Sequence, residues 1–127
     1  MIEKLAEQIY EKSLKLKKIS TDDLLLKSKR IQALDDLCEI KPLISSLLLE
    51  LKDNTLFSDE YFKLALLMYE SVFESVVILS KKEKNYKTTA IKYIHGFHNL
   101  PRAFLPIENR MRISASDAMN YYSQYIK

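Results

Sequence analysis

The chain has a single glycine, Gly96, among 127 residues, and this scarcity restricts its fold more than any other feature. Tight β-hairpin turns rely on backbone with positive φ, which glycine adopts at the lowest cost. Loops that cradle phosphate groups likewise need several glycines. The sequence therefore argues against a sheet-rich fold and excludes phosphate-cradling loops. We predict one all-α domain over residues 1–127, an antiparallel bundle of five or six helices with short connections.

Helical periodicity divides the chain into elements. The longest pattern predicts a helix over residues 59–82, and its wide apolar face predicts a central position with several neighbours. Pro42 predicts an end or a kink between a second helix, which reaches about Ile40, and a short third helix over residues 43–52. The inward side of the second helix is predicted to carry Leu24, Ile31, Leu34 and Cys38. The other predicted helices cover residues 2–18, 86–98 and 115–125, the last capped by Ser114.

Residues 94–106 contain both histidines and two of the three prolines. Gly96 lies inside a helical pattern, where glycine costs about 1 kcal/mol relative to alanine. A missing Cβ lets another helix approach, so we predict close helix packing at this position, with the approach of a ligand as the alternative. Pro101 and Pro106 limit any helix between them to about one turn. The expected result is a rigid corner that presents His98, Asn99 and Arg102.

Charge is distributed unevenly along the chain. Residues 1–80 carry 11 basic and 14 acidic side chains, a net charge of −3, whereas residues 81–127 carry 9 basic and 3 acidic ones, a net charge of +6. Tyrosines are interleaved with the basic side chains of the second part. Such a pattern suits nucleic-acid binding through phosphate contacts and base stacking, and the alternative is a solvated basic surface.

Several classes of function are disfavoured. The lone cysteine, Cys38, excludes an internal disulfide and fits a reducing cytoplasm, and no apolar run approaches the roughly 18 residues of a membrane span. His95 and His98 share one side of a helix, but a metal site needs at least three ligands with a common focus, and no third ligand is spaced to join them. A hydrogen-bonding or half-buried pair is favoured instead, and the sequence leaves open whether the two histidines are exposed. No nucleophile motif such as G-x-S-x-G is present. We predict a cytoplasmic protein without membrane contact, metal, cofactor or enzymatic activity.

Tyrosine and arginine, which dominate protein interfaces, are concentrated near the C-terminus. The three tyrosines of the last predicted helix cannot all point inward, so we expect at least one to be exposed. In one arrangement Tyr122 and Ile126 pack inward while Tyr121 and Tyr125 lie flat on the surface. The predicted partner-binding residues are His98, Asn99, Arg102, Arg110, Arg112, Tyr121, Tyr122 and Tyr125.

The run His98-Asn99-Leu100-Pro101-Arg102, followed by a hydrophobic pair and a capped, tyrosine-rich last helix, resembles small all-helical bacterial immunity proteins. The resemblance covers about the last third of the chain. It implies a cytoplasmic, non-enzymatic protein that neutralises a cognate toxin by masking its active surface. The alternative hypothesis is a small helical protein that binds nucleic acid, or acts as a regulator, through the basic residues 81–127. Either hypothesis leaves the oligomeric state open.

Overall fold

The computed structural model describes residues 1–54 and 56–127. In these residues the chain forms five α-helices and no β-strand, which confirms the all-α bundle. Within the two described ranges, every helix is too short or too polar to span a bilayer. The helices are α1 Ile2–Lys17, α2 Lys27–Lys52, α3 Asp59–Lys81, α4 Tyr86–Gly96 and α5 Ala115–Ile126, and short 3₁₀ turns lie at Asp23–Leu25, Phe97–Asn99 and Pro101–Phe104.

The helix α2 continues through Pro42 as one 26-residue helix, so the predicted boundary between a second and a third helix is wrong. Proline removes a backbone donor and costs about 3 kcal/mol inside a helix. On both sides of Pro42 the same face of α2 is buried: Ile40 precedes it, and Ile44 and Leu47 follow. A break would remove this continuous face from the core, so packing against α1 and α3 outweighs the local cost.

The predicted inward side of α2 is also partly wrong. Ile31 is 47% exposed and Cys38 is exposed, whereas Leu24 is fully buried in its own 3₁₀ turn. Leu26 has an extended conformation between that turn and α2, so helical spacing counted from Leu24 does not carry into the helix. The buried residues of α2 are instead Ala33, Asp36, Leu37, Ile40, Ile44, Leu47 and Leu51.

The helix α3 occupies the predicted central position and packs against α2, α4 and α5. Its buried face includes Leu64, Met68 and Val72, at the four-residue spacing of one helix face. Two serines, Ser71 and Ser75, are each only 2% exposed within this apolar face. Small side chains at these positions leave room for the neighbouring helices to approach α3 closely.

The connection from α3 to α4 contains two non-glycine residues in the left-handed region. Lys82 ends α3 with a φ of 50°, and Asn85 precedes α4 with a φ of 63°. Asparagine tolerates this conformation because its short side chain hydrogen-bonds locally, whereas lysine has no such compensation. The turn therefore reverses the chain without glycine.

Gly96 allows α5 to pack closely on the end of α4, as predicted. A Cβ added at Gly96 would lie 2.8 Å from the Cβ of Tyr125 and 3.4 Å from a ring carbon of Tyr122. The two prolines then limit the following turn to Pro101–Phe104. The predicted cap of α5 is also confirmed, since the backbone N–H of Asp117 donates a hydrogen bond to Ser114 Oγ at 3.0 Å.

We expect Gly96→Ala to destabilise the protein, although alanine normally favours a helix over glycine by about 1 kcal/mol. The new Cβ meets the Cβ of Tyr125, which cannot rotate away, and such overpacking costs about 1–3 kcal/mol. Urea unfolding would measure the difference. In a Tyr125→Gly background the obstructing atom is absent, so the same Gly96→Ala change should be neutral or stabilising. Equal destabilisation in both backgrounds would contradict the packing explanation.

Candidate functional site

The predicted corner exists, but it buries two of the three polar side chains that it was expected to present. His98 is 5% exposed and Asn99 is 3% exposed, so the prediction that they contact a partner directly is corrected. Their polar atoms are satisfied locally. His98 Nδ1 donates to the carbonyl oxygen of His95 at 2.8 Å, and Asn99 Nδ2 donates to the carbonyl oxygen of Gly96 at 3.2 Å. These residues therefore support the neighbouring surface residues through internal hydrogen bonds and are not themselves exposed.

The histidines connect the corner to the start of the chain. His95 Nε2 donates to the carbonyl oxygen of Ile19, just after α1. Burial lowers the pKa of His98, and the positive charges of Lys17, Arg102 and His95 lower it further, against the opposing effect of the bond to the His95 carbonyl. The His98 ring is consequently favoured in its neutral form, with its proton on Nδ1.

Arg102 is half-buried and holds the loop that leads to α5. Its Nε–H donates to the carbonyl oxygen of Met111 at 2.7 Å, and its Nη1 donates to Asn99 Oδ1 at 3.1 Å. Arg112 holds the same loop from the other side, because its Nη1 donates to the carbonyl oxygen of Leu105 at 2.8 Å. Both arginines therefore have structural bonds within the chain, which sequence reasoning did not foresee.

One contiguous surface does combine the predicted arginine and tyrosine side chains. The Arg102 guanidinium lies over the Tyr121 ring, 5.9 Å from its centroid. Tyr125 lies one turn further along α5 and packs edge-on against His98, with ring centroids 6.3 Å apart. Tyr121 is 41% exposed, Tyr125 is 39% exposed and the adjoining Met111 is 37% exposed. We call Arg102, Met111, Tyr121 and Tyr125 the arginine-tyrosine face.

The remaining predicted contact residues have different positions. Arg110 is exposed in the loop before α5, and Arg112 is half-buried by its bond to Leu105. Tyr122 is 5% exposed, so its predicted role as a direct partner contact is corrected. Tyr122 lies on the side of α5 that faces the core, because Ala115 and Ala118 on the same side are also buried. The arrangement with Tyr122 inside and Tyr121 and Tyr125 outside is thus the one observed.

Sequence reasoning missed a groove beside this face. The groove has a volume of about 290 Å³, and its walls come from three helices. We call it the acidic groove because Glu70 and Glu74, both exposed, lie one turn apart on its α3 side. The sequence contained two signals of this groove, namely the spacing of the two acids and the serine within the apolar face of α3. Nothing in the local sequence, however, shows that these residues lie beside α4 and α5. The groove is lined by Leu67, Glu70, Ser71, Glu74, Tyr93, Tyr122 and Ile126.

The polar groups of the acidic groove act on one another. Burial raises the pKa of the Tyr122 hydroxyl, the nearby Ser71 hydroxyl opposes this, and Tyr93, Glu70 and Glu74 raise it further. The hydroxyls of Ser71 and Tyr122 are therefore close enough to interact. Among the described residues the structure gives Ser71 Oγ no hydrogen-bond partner, although the atom is buried.

Comparison with known proteins leaves the function to be inferred from these residues. No protein-family model, curated protein or solved structure matches the chain. Across residues 1–54 and 56–127, no three His, Cys, Asp or Glu side chains converge as a metal site requires.

The lowered pKa of His98 predicts a pH-dependent stability. The unfolded chain binds a proton at this residue more readily than the folded chain, so the free energy of unfolding should fall as the pH drops below about 6.5. His98→Asn retains a donor for the His95 carbonyl but does not titrate. We expect a shallower loss of stability for this variant between pH 7.5 and 5.5, measured by urea unfolding. An equal loss in both proteins would show that His98 is not the source.

The bonds of Arg102 predict a local effect of substitution. Arg102→Lys keeps the charge but loses the planar guanidinium group that donates to both Met111 and Asn99. A hydrogen bond to a charged group contributes about 1.5–3 kcal/mol to stability. We expect amide hydrogen exchange at Met111, Arg112 and Ile113 to accelerate about tenfold or more. Arg110→Lys, an exposed arginine of the same loop, is the matched control and should leave these rates unchanged.

Proposed function

We propose that this chain is a non-enzymatic protein-binding module, and specifically an immunity protein that neutralises a cognate toxin by occluding its active surface. The observation that carries the proposal is the arginine-tyrosine face. Arg102 is held by two acceptors and lies over the ring of an exposed tyrosine before any partner arrives. A pre-ordered face loses little side-chain entropy on binding, and tyrosine and arginine are the side chains that most often contribute large binding energies.

The hydrogen bonds of the histidines support a structural role for the residues most suited to catalysis. His95 and His98 donate to backbone carbonyls, and in the described part of the chain neither bonds to a serine, a cysteine or a carboxylate. A nucleophilic mechanism needs a base beside its nucleophile. Occlusion requires only shape, charge and a stable fold, which are the properties that the arginine-tyrosine face supplies.

Nucleic-acid binding is the second candidate. Lys81, Lys82 and Lys84 are exposed together in the connection between α3 and α4, and the Lys87 ammonium lies 4.9 Å from the Tyr86 ring centroid. Phosphate contacts of this kind release counterions, so binding would weaken steeply as salt increases. A desolvated protein interface centred on aromatic side chains would respond less to salt.

The test is affinity capture of the tagged chain from its native cell, followed by expression of any captured protein alone and together with the chain. We expect a stoichiometric protein that is toxic alone and harmless in the complex. Tyr121→Ala should weaken that complex at least tenfold, because truncating an interface anchor costs roughly 2 kcal/mol or more, without lowering the urea midpoint. Leu49→Ala truncates an apolar side chain of α2 that is 64% exposed, outside both the arginine-tyrosine face and the acidic groove, and should leave affinity unchanged.

Two results would overturn the proposal. One is recovery of nucleic acid that is released by moderate salt, with no neutralised protein, which would favour the second candidate. The other is a neutralised toxin whose affinity is insensitive to Tyr121→Ala and sensitive to Leu49→Ala, which would move the interface to the exposed side of α2.

A further inference from the structure

We propose that the acidic groove binds a guanidinium group, supplied by an arginine side chain on the surface of the protein partner. The inference rests on the proposed function, because it names the chemistry of the partner that the chain would recognise. It does not involve the arginine-tyrosine face directly. It follows from three features of the groove: paired carboxylates, aromatic walls and a buried hydroxyl without a partner.

The charge of the groove selects a cation. Glu70 and Glu74 occupy successive turns of α3, and both residues are exposed and line the groove. A planar guanidinium presents five N–H donors in a fixed fork, so it is able to engage two carboxylates at once, which a compact ammonium does less well. Anionic ligands such as phosphate would be repelled by the same pair.

The walls favour a flat cation over a metal ion. Tyr93 and Tyr122 contribute rings from α4 and α5, and guanidinium groups stack on aromatic faces. A metal ion would need at least three ligands, and no group of three His, Cys, Asp or Glu side chains converges here or elsewhere in the described ranges. The volume of about 290 Å³ compares with roughly 30 Å³ per water molecule in the liquid, so there is room for an arginine side chain.

Ser71 is the observation that points to a ligand rather than to a merely solvated acidic surface. Ser71 is one of the residues that line the groove, and it is 2% exposed. Its buried Oγ has no hydrogen-bond partner among the described residues, and the polar group beside it is the Tyr122 hydroxyl. Ser75, one turn later on the same helix and equally buried, is satisfied, because its Oγ donates to the Ser71 carbonyl oxygen at 2.8 Å. A buried hydroxyl without a partner destabilises the free protein, and an N–H donor entering the groove would satisfy it.

The position of the groove suits a partner that also covers the arginine-tyrosine face. Tyr122 and Ile126 of the groove occupy the row of α5 next to that of Tyr121 and Tyr125. A single protein docked on α5 would therefore meet a cationic aromatic face and an anionic groove side by side. Two neighbouring patches of opposite charge fix the orientation of a partner better than one patch does.

The first experiment uses the free protein and a small probe, Nα-acetyl-arginine amide, followed by ¹H–¹⁵N NMR titration. We expect saturable shifts at Ser71, Tyr93 and Tyr122. The uncharged isostere Nα-acetyl-citrulline amide should produce no such shifts, and Nα-acetyl-lysine amide should bind more weakly than arginine. Equal binding of the arginine and citrulline probes, or no shifts in the groove with arginine, would overturn the inference.

Variants separate charge from structure. Glu70→Gln with Glu74→Gln should weaken arginine binding about tenfold, in keeping with two partly exposed ion pairs. The control is Glu50→Gln with Glu60→Gln, which changes the net charge equally at exposed positions outside the groove and should leave the affinity unchanged. Equal affinity of the groove variant and the wild-type protein would also overturn the inference.

Ser71→Ala provides a readout in which stability and affinity change in opposite directions. Removing the unsatisfied hydroxyl should raise the urea midpoint while weakening the arginine probe several-fold. Ser75→Ala, the matched control, loses a hydrogen bond, so it should lower the midpoint and leave probe binding intact. If Ser71→Ala binds the probe as tightly as the wild-type protein, the hydroxyl is not a ligand group and the inference fails in this form.

The failure of the inference is distinguishable from that of the proposed function. If the chain neutralises a toxin and the Glu70→Gln/Glu74→Gln variant does so with unchanged affinity, the groove proposal alone is wrong. If the arginine probe binds in the groove but no toxin is neutralised, the immunity function is wrong and the source of the guanidinium is a free small molecule rather than a protein side chain.

Discussion

The contact between Gly96 and α5 determines the geometry of both candidate surfaces. Because Gly96 has no Cβ, the side chains of Tyr122 and Tyr125 reach the backbone of α4 directly. That contact fixes the rotation of α5 about its own axis. As a result, one row of its side chains faces the core and the adjacent row faces outward. The Arg102 bonds to Met111 and Asn99 then fix the loop that leads into the helix. The surfaces are consequently properties of the packed core and not of flexible side chains.

The charge pattern is easier to understand from this geometry than from the sequence. In the sequence, acidic residues are in excess up to position 80 and basic residues are in excess after it, which suggests two regions of opposite net charge. The fold brings α3, with Glu70 and Glu74, against α5. A cationic aromatic face and an anionic groove therefore lie on adjacent rows of one short helix. This juxtaposition supports a binding module that reads a protein surface of mixed charge, whereas a nucleic-acid backbone presents one sign of charge only.

Much of the fold could be predicted because α1, α3 and α5 carry clear helical periodicity and α5 has its capping serine. The continuation of α2 through Pro42 could not be predicted. The penalty for proline is local, whereas the burial of Ile40, Ile44 and Leu47 depends on the packing of the whole bundle. The burial of His98 and Asn99 could not be predicted, because the sequence leaves the exposure of the histidines open and the corner was expected to present both residues. The backbone carbonyls that satisfy the two buried side chains are brought into position only by the fold. The acidic groove was missed because only tertiary packing joins residues from three helices.

The scarcity of glycine also has a consequence for how the protein could evolve. The single glycine serves helix packing, so the turn between α3 and α4 must place Lys82 in a left-handed conformation that costs a lysine roughly 1 kcal/mol or more. Glycine at that position would relieve the cost, at a site distant in sequence from Arg102, Tyr121 and Tyr125. A lineage adapting those residues to a changed partner therefore has a compensating substitution within reach, which would permit surface changes that the fold alone would not tolerate.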